Sequence, residues 1–373
     1  MYQLKDNKII LKREFIMYKY KYAILQNPGH NRVYFNASTK LSINELFFAS
    51  EKFSEAVGAI GYDDIQEEIF GGVEYITFKT KEKLSGGDLI LLSRLSFTYA
   101  IFEIKTYENE QILLPVQKNS SYYFDDDLNM ILKYSGKTNE IFTRMLINLA
   151  VFASDFDYAD TLSLLDPVCG KGTTAFEGLI CGYNSYGVEL SGKLVDEGYH
   201  YLKKYLETGK YKHELKKESM GGKNKDGATF RAKRYLFDIA KNKDDRKNNK
   251  SLVFEIIEGD TQNIDKFYKK NTFNIIVGDL PYGIQHANTA KGNAMRNPLD
   301  LLEVSLPVWL NTLKVGGAIV LAWNNLLLKR ADIEKIFHEN NLTFPYQESE
   351  HKPDFEHRVD QAINRDVIVG IKN

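Results

Sequence analysis

"TLSLLDPVCGKGTTAFEGLICG", Thr161 to Gly182, passes from an apolar segment through an acid into a loop bearing Gly170 and Gly172, then into a second apolar segment closed by Gly182. "TLSLLDPV" reads as a buried strand ending at Asp166, and "TTAFEGLICG" as a helix beginning near Thr173. Glycine at 170 and 172 permits positive φ and lets backbone N–H groups approach a ligand with no Cβ in the way. The loop is not a phosphate loop, because GxxxxGK(S/T) is absent, and it lacks the full GxGxxG pattern of dinucleotide sites. A carboxylate at the strand end would repel a polyphosphate and suits an ammonium-bearing ligand.

Outward from this turn the signals alternate. "NSYGVEL" reads as a strand, "LVDEGYHYLKKYLE" as a helix, "VFEIIEGD" and "FNIIVGD" as strands, "NPLDLLEVSLPVWLNTL" as a helix and "GGAIVLAW" as a strand, with "DVIVGIK" as an added edge strand. Such alternation predicts an α/β fold, a doubly wound, Rossmann-like parallel sheet. Upstream, "TNEIFTRMLINLAVFA" predicts a capped, largely buried helix from the Thr138 and Phe142 to Ala153 pattern. Earlier still, "YKYAILQ", "VEYITFKT" and "FTYAIFEI" read as strands. "SINELFFASEKFSEAVGA" reads as a helix with Ser42 as N-cap and Glu45 completing a capping box. The expected organisation is a small α+β domain over residues 1–120, followed by the larger domain over 121–373.

The 373 residues, 43% hydrophobic and 27% charged, are those of a globular protein, and no apolar run approaches the ~20 residues that span a bilayer. The charged start, "MYQLKDNKIILKREF", does not read as a secretory signal. Two cysteines, Cys169 and Cys181, are too few for a disulfide framework or a four-ligand zinc site and point to a reducing cytoplasm. The histidines show no HExxH-like spacing, so no metal is expected. The net charge of −1 hides a basic insertion at about 203–250, rich in Lys and Arg. It reads either as a solvated, partly disordered loop or as a phosphate-contacting patch.

Two further acids stand at strand ends. Glu189 closes "YGVEL", where the doubly wound fold commonly holds a carboxylate that binds ribose hydroxyls, and Asp260 closes "FEIIEGD", placed to accept from an adenine amino group. Three acids at three successive strand ends suit a nucleoside that carries an amino acid. S-adenosyl-L-methionine is such a molecule.

"DPVCGKGTTAFE" resembles the DP-x-CG-x-GT-x-x-x-E signature of the class I methyltransferases that modify exocyclic amines of nucleic acids. "DLPYG", Asp279 to Gly283, resembles their (D/N)-x-P-(Y/F) signature, and "YSGKTNEIFTRMLINLA" is similar to the helix that covers the methionine end of the cofactor. The resemblance runs from about Tyr134 to the C terminus. It implies a cofactor site formed by Thr138, Asn139, Phe142, Asp166, Pro167, Cys169, Gly170, Gly172, Thr173, Glu189, Leu190, Asp260, Thr261 and Asp279. It also implies a catalytic turn of Asp279, Leu280, Pro281 and Tyr282.

The chemistry explains those residue types. The lone pair of an amine on a purine ring is delocalised, and a carboxylate that accepts from the amine favours its pyramidal form and aims it at the sulfonium methyl. Asp279 has that role, Pro281 stiffens the turn that aims the Leu280 carbonyl, and Tyr282 stacks on the extruded base. Leu280, where many relatives have proline, resembles the branch that methylates guanine N2 in tRNA, usually with an RNA-binding THUMP domain. The expected partner is therefore structured RNA. An adenine-N6 methylase of DNA or RNA, and a nucleic-acid-binding protein without catalysis, stay open.

Trp323, Asn324 and Asn325 stand near the expected active-site edge, either as substrate contacts or as a packed ring with two capping amides. His357, Arg358 and Arg365 flank a possible hairpin, by default a surface one. Cys169 reads as a small buried side chain. The N-terminal strands vaguely resemble the RNA-binding regions of tRNA guanine-N2 methyltransferases and could equally form an ordinary core.

Overall fold

The computed structural model describes residues 18–27, 32–118, 122–130, 138–223, 227, 229–281, 298–346 and 352–373. The first elements are β1 (Tyr20–Gln26), α1 (Arg32–Ser50), β2 (Gln66–Phe70), β3 (Val73–Thr80), α2 (Gly86–Arg94), β4 (Thr98–Tyr107) and β5 (Glu110–Val116). The strands form one sheet of order β2-β3-β1-β4-β5, antiparallel throughout. Tyr22, Ile24, Ile76, Phe78 and Ile101 share one buried cluster with Leu46, Leu91 and Leu92 of the two helices. The helix over "SINELFF" begins at Arg32, well before the cap its sequence predicts, and stops at Ser50. Ser42 is therefore not an N-cap and Glu45 closes no capping box: both lie inside α1, where Ser42 Oγ donates to Gln26 Oε1 at 3.1 Å.

The second part contains α3 (Asp127–Met130), α4 (Glu140–Ala153), β6 (Ser163–Asp166), α5 (Thr173–Ile180), β7 (Asn184–Glu189), α6 (Gly192–Thr208), β8 (Lys212–Lys223), β9 (Thr229–Ala240), α7 (Lys243–Lys247), β10 (Leu252–Glu258), α8 (Ile264–Phe267) and β11 (Phe273–Asp279). It continues with α9 (Pro298–Thr312), β12 (Leu313–Asn324), α10 (Arg330–Glu339), β13 (Leu342–Thr343), β14 (His357–Arg358) and β15 (Asn364–Lys372). The sheet order is β13-β15-β12-β11-β6-β7-β10-β9-β8, with β14 paired to β15. The centre, β12-β11-β6-β7-β10, is parallel, and both flanks are antiparallel. The chain leaves β6 towards β7 and β10 on one side and returns to β11 and β12 on the other. That reversal opens a crevice at the carboxyl ends of β6 and β11, the place where open α/β sheets bind ligands.

The fold is thus α/β and Rossmann-like, with two differences from the sequence expectation. "DVIVGIK" is not an edge strand: β15 lies between β12 and β13 and is buried along Arg365–Gly370. The basic segment is not a loop. It forms the β8–β9 hairpin, which extends the sheet because Tyr235, Phe237 and Ile239 recur at period two and bury beside Tyr199, Leu202 and Leu206 of α6.

Helix α4 joins the two sheets. Its N-cap is Asn139, whose side chain accepts from Ile141 N at 2.9 Å and Phe142 N at 3.2 Å, an arrangement that stabilises a helix by about 1 kcal/mol. Phe142, Met145, Leu146 and Leu149 share one apolar cluster with Leu46 and Ala49 of α1 and with Ile275 and Val277 of β11. Inside that apolar contact Glu45 accepts from Ser96 N at 2.9 Å, Ser96 Oγ at 2.5 Å and Asn148 Nδ2 at 2.7 Å. Burial pushes its carboxyl above the usual range, and the three donors act against that.

Candidate active site

Asp166, Glu189, Asp260 and Asp279 stand at or just past the carboxyl ends of β6, β7, β10 and β11, strands that run parallel with β6 between β7 and β11. The glycine turn between β6 and α5 has the backbone its sequence predicts: φ is +53° at Gly170 and +96° at Gly172, which is the N-cap of α5. A Cβ at Gly170 would meet nothing within 4 Å, so the loop faces open space there. Behind it Cys169 is buried, its N–H donating to Val188 O at 3.0 Å. A Cβ on Gly187 would lie 2.6 Å from Cys169 Sγ. The thiol is held well above its ordinary range by burial, so this is a packed side chain and not a nucleophile.

The acids tie the loops together. Glu189 Oε2 accepts from Gly170 N at 3.0 Å and Oε1 from Ser191 N at 2.8 Å. Asp260 Oδ1 accepts from Gln262 N at 3.0 Å, and Thr261 Oγ1 accepts from the buried Trp309 Nε1 at 2.9 Å. Asp166 accepts from Val168 N at 3.0 Å. Burial pushes the Asp166 carboxyl up to about 7, and the charges of Asp279 and Glu189 push the same way, against its bonds from Val168 and Thr174. A buried acid facing two other acids is relieved by a cation. The ammonium and sulfonium groups of S-adenosylmethionine fit that charge, and the second lone pairs of Glu189 fit ribose hydroxyls. Leu190, 73% exposed, adds an apolar surface directly after Glu189.

Thr138 Oγ1 donates to Asp279 Oδ2 at 2.8 Å across 141 residues of sequence, so the start of α4 meets the end of β11. Arg365 Nη2 reaches the same oxygen at 3.4 Å. Leu280 is buried, and its N–H donates to Ala322 O at 2.8 Å, which carries the β11–β12 ladder one residue beyond Asp279. Proline in that place would lack the donor. Pro281 is half-buried at the rim. Tyr282 and Gly283 lie outside the described residues. Phe142 is fully buried, with the Arg365 guanidinium 4.7 Å and the His357 ring 5.2 Å from its ring centre.

Trp323 and Asn324 are tied into the fold. Trp323 is packed and donates to Leu328 O at 2.9 Å. Asn324 donates to Ala362 O at 2.9 Å and accepts from Asn364 N at 3.0 Å. The hairpin of β14 and β15 exists, with His357 opposite Arg365, yet it is not the surface hairpin expected: His357 and Arg365 are buried and only Arg358 is exposed. The approach of Arg365 to Asp279 is the feature the sequence does not disclose, since 86 residues separate them and no motif spacing links them. Among the described residues no group of three or more His, Cys, Asp or Glu is placed to hold a metal, and no helix is long and apolar enough to cross a membrane.

These elements define a Rossmann-like α/β fold with four acids at the carboxyl edge of its sheet. Residues 145–300 match the family model described as UPF0020, "RMKL-like, methyltransferase domain", a match to under half of the chain. No curated protein matches the chain. Among solved structures it is similar to the magnesium protoporphyrin IX methyltransferase of Synechocystis, 11% identical, with 64% of this chain and 87% of that one covered and a TM-score of 0.36. The ribosomal protein L11 methylase of Lactobacillus delbrueckii is 13% identical, over 62% and 80% of the two chains, with a TM-score of 0.32. An rRNA methylase of Streptococcus thermophilus is 12% identical, over 58% and 91%, with a TM-score of 0.31.

Proposed function

We propose that the chain methylates an exocyclic purine amine in structured RNA, with guanine N2 of tRNA as the first substrate to test and adenine N6 as the competing one. The observation that carries this reading is Asp279 at the end of β11, held by Thr138 Oγ1 and followed by Leu280 and Pro281, on the strand next to the Asp166 loop. S-adenosylmethionine supplies an electrophilic methyl group on a sulfonium. In the proposed site Asp166, Glu189 and Asp260 bind it, Gly170 and Gly172 leave room for it, and Thr138, Asn139 and Phe142 set the helix end that covers it. Asp279 accepts from the amine and turns its lone pair towards the methyl group, the Leu280 carbonyl takes the second N–H, and Tyr282 stacks on the base. As the new N–C bond forms and the S–C bond breaks, the amine proton passes to Asp279 or to water.

Leu280 supports guanine over adenine only through its resemblance to the guanine branch, since its side chain is buried. The N-terminal domain, residues 1–120 in this reading, is the RNA-gripping part, with the β8–β9 hairpin as a second phosphate contact and the cytoplasm as its compartment. The test is labelled-methyl transfer to bulk tRNA, other RNA and DNA, followed by mass spectrometry of the nucleosides. Asp279→Ala should abolish transfer and leave cofactor affinity within about twofold, as for a group that orients the acceptor. Turnover by that variant at the wild-type rate refutes the assignment.

A further inference from the structure

We infer that Arg365 is a positioning residue for methyl transfer: from the buried side of Asp279 it fixes and charges the carboxylate that orients the acceptor amine, and it makes no contact with RNA. The inference rests on the role proposed above for Asp279.

Accessibility separates the two partners. The Arg365 side chain is 7% exposed and that of Asp279 19%, so the acid faces the crevice and the guanidinium backs it. A guanidinium taken out of water needs an anion and a surface that replaces its hydration. Arg365 has both, Asp279 Oδ2 at 3.4 Å and the Phe142 ring at 4.7 Å. Thr138 Oγ1 holds the same oxygen at 2.8 Å, so the short bond sets the direction of the carboxylate and the longer ion pair supplies charge. Both donors stand beside or within regular elements. Thr138 directly precedes the Asn139 cap of α4, and Arg365 stands in β15 opposite Asn324 of β12 and opposite His357 of β14.

His357 does not compete for the acid. Burial pushes its imidazole down to about 4, the Arg365 charge acts in the same direction, and Nδ1 is turned to Phe355 O at 2.9 Å. Among the described groups that face Asp279 are one permanent cation, one hydroxyl, one neutral ring and the acid Asp166. To touch a phosphate, Arg365 would have to leave the Phe142 face and strand the ion pair. Arg365 therefore acts on the reaction through Asp279 and not through a grip on RNA.

The test uses the full chain, an RNA that the wild-type protein methylates, and four variants: Arg365→Met, Arg365→Lys, Arg365→Ala and Asp279→Ala. Arg365→Met should lower kcat by about tenfold to a hundredfold, the scale of a misaimed acceptor, with KM for RNA and the dissociation constant of S-adenosylhomocysteine unchanged. Arg365→Lys should recover most of the loss, and millimolar guanidinium chloride should raise kcat of Arg365→Ala while leaving the wild type unaffected. Wild-type kcat in Arg365→Met, or a rise in KM alone, overturns the inference. So does a loss that neither lysine nor guanidinium repairs, which marks a scaffold role. If Asp279→Ala is inactive while Arg365→Met is normal, only this inference fails; if Asp279→Ala is active, the proposed function fails with it.

Discussion

The pH dependence of cofactor binding follows from one buried carboxyl. Asp166, pushed up to about 7, shares its neighbourhood with Asp279 and Glu189. If the ammonium of the cofactor binds the ionised form, affinity tracks the ionised fraction, about 9% at pH 6 and 91% at pH 8, a tenfold change or about 1.4 kcal/mol. The ligand for the measurement is S-adenosylhomocysteine, whose ordinary amino-acid ammonium keeps its proton below pH 8. Titration calorimetry at pH 6, 7 and 8 should show the dissociation constant falling about tenfold as pH rises, and Asp166→Asn should bind weakly with a flat profile. The cofactor-free protein should show the opposite trend. The folded pKa lies above the unfolded one, so the folded state holds a proton that the unfolded chain has released between about pH 4 and 7. Stability therefore falls as pH rises through that window. Wild-type affinity that is level from pH 6 to 8, or an Asp166→Asn variant that keeps the slope, refutes the reasoning.

Gly187→Ala would drive a Cβ into Cys169 Sγ, and urea unfolding should show a loss of about 1–3 kcal/mol together with weaker cofactor binding. Glu45→Ala leaves three buried donors without their acceptor; the expected loss is about 2–4 kcal/mol in the same assay, and a neutral result would mean that water replaces the carboxylate. If the β8–β9 hairpin neutralises phosphates, removing the exposed Lys216 and Lys223 should make the dependence of log K on log salt shallower by about 0.7–0.9 for each phosphate no longer neutralised. An unchanged slope in the double variant places the RNA elsewhere.

Much of the parallel centre is legible in the sequence, because it is written in local signals. Short apolar runs each end in an acid, and glycines mark the one turn that must open to a ligand. The helix α4 is legible too, though its cap is Asn139. The antiparallel additions are harder to read. In β8 and β9 the period-two signal of Tyr235, Phe237 and Ile239 covers only the end of β9, behind Arg231, Lys233 and Arg234. The strand β15 looks like an edge because its only visible partner in sequence is β14, while β13, its outer neighbour, is two residues long. Apolar spacing carries the predicted α1 past its true end, since it continues through Phe53 and Val57, which bury from a non-helical segment. The site divides in the same way. The acids and glycines are local, whereas Thr138 and Arg365 reach Asp279 from 141 and 86 residues away, and only folding shows that they share an oxygen.

The position of α4 has a consequence for how such a chain can be recombined. One end of this helix stands beside Asp279, and its flank is the floor on which α1 sits, with Asn148 and Glu45 locked between them. The N-terminal domain is thus part of the mounting of the Asp279 end of the sheet, and cutting the chain near residue 120 would bare an apolar strip of α4 and loosen the helix that Thr138 leads into. A graft that gives the second domain a different N-terminal module would have to reproduce that footprint, buried acid included, before α4 could keep its place beside Asp279.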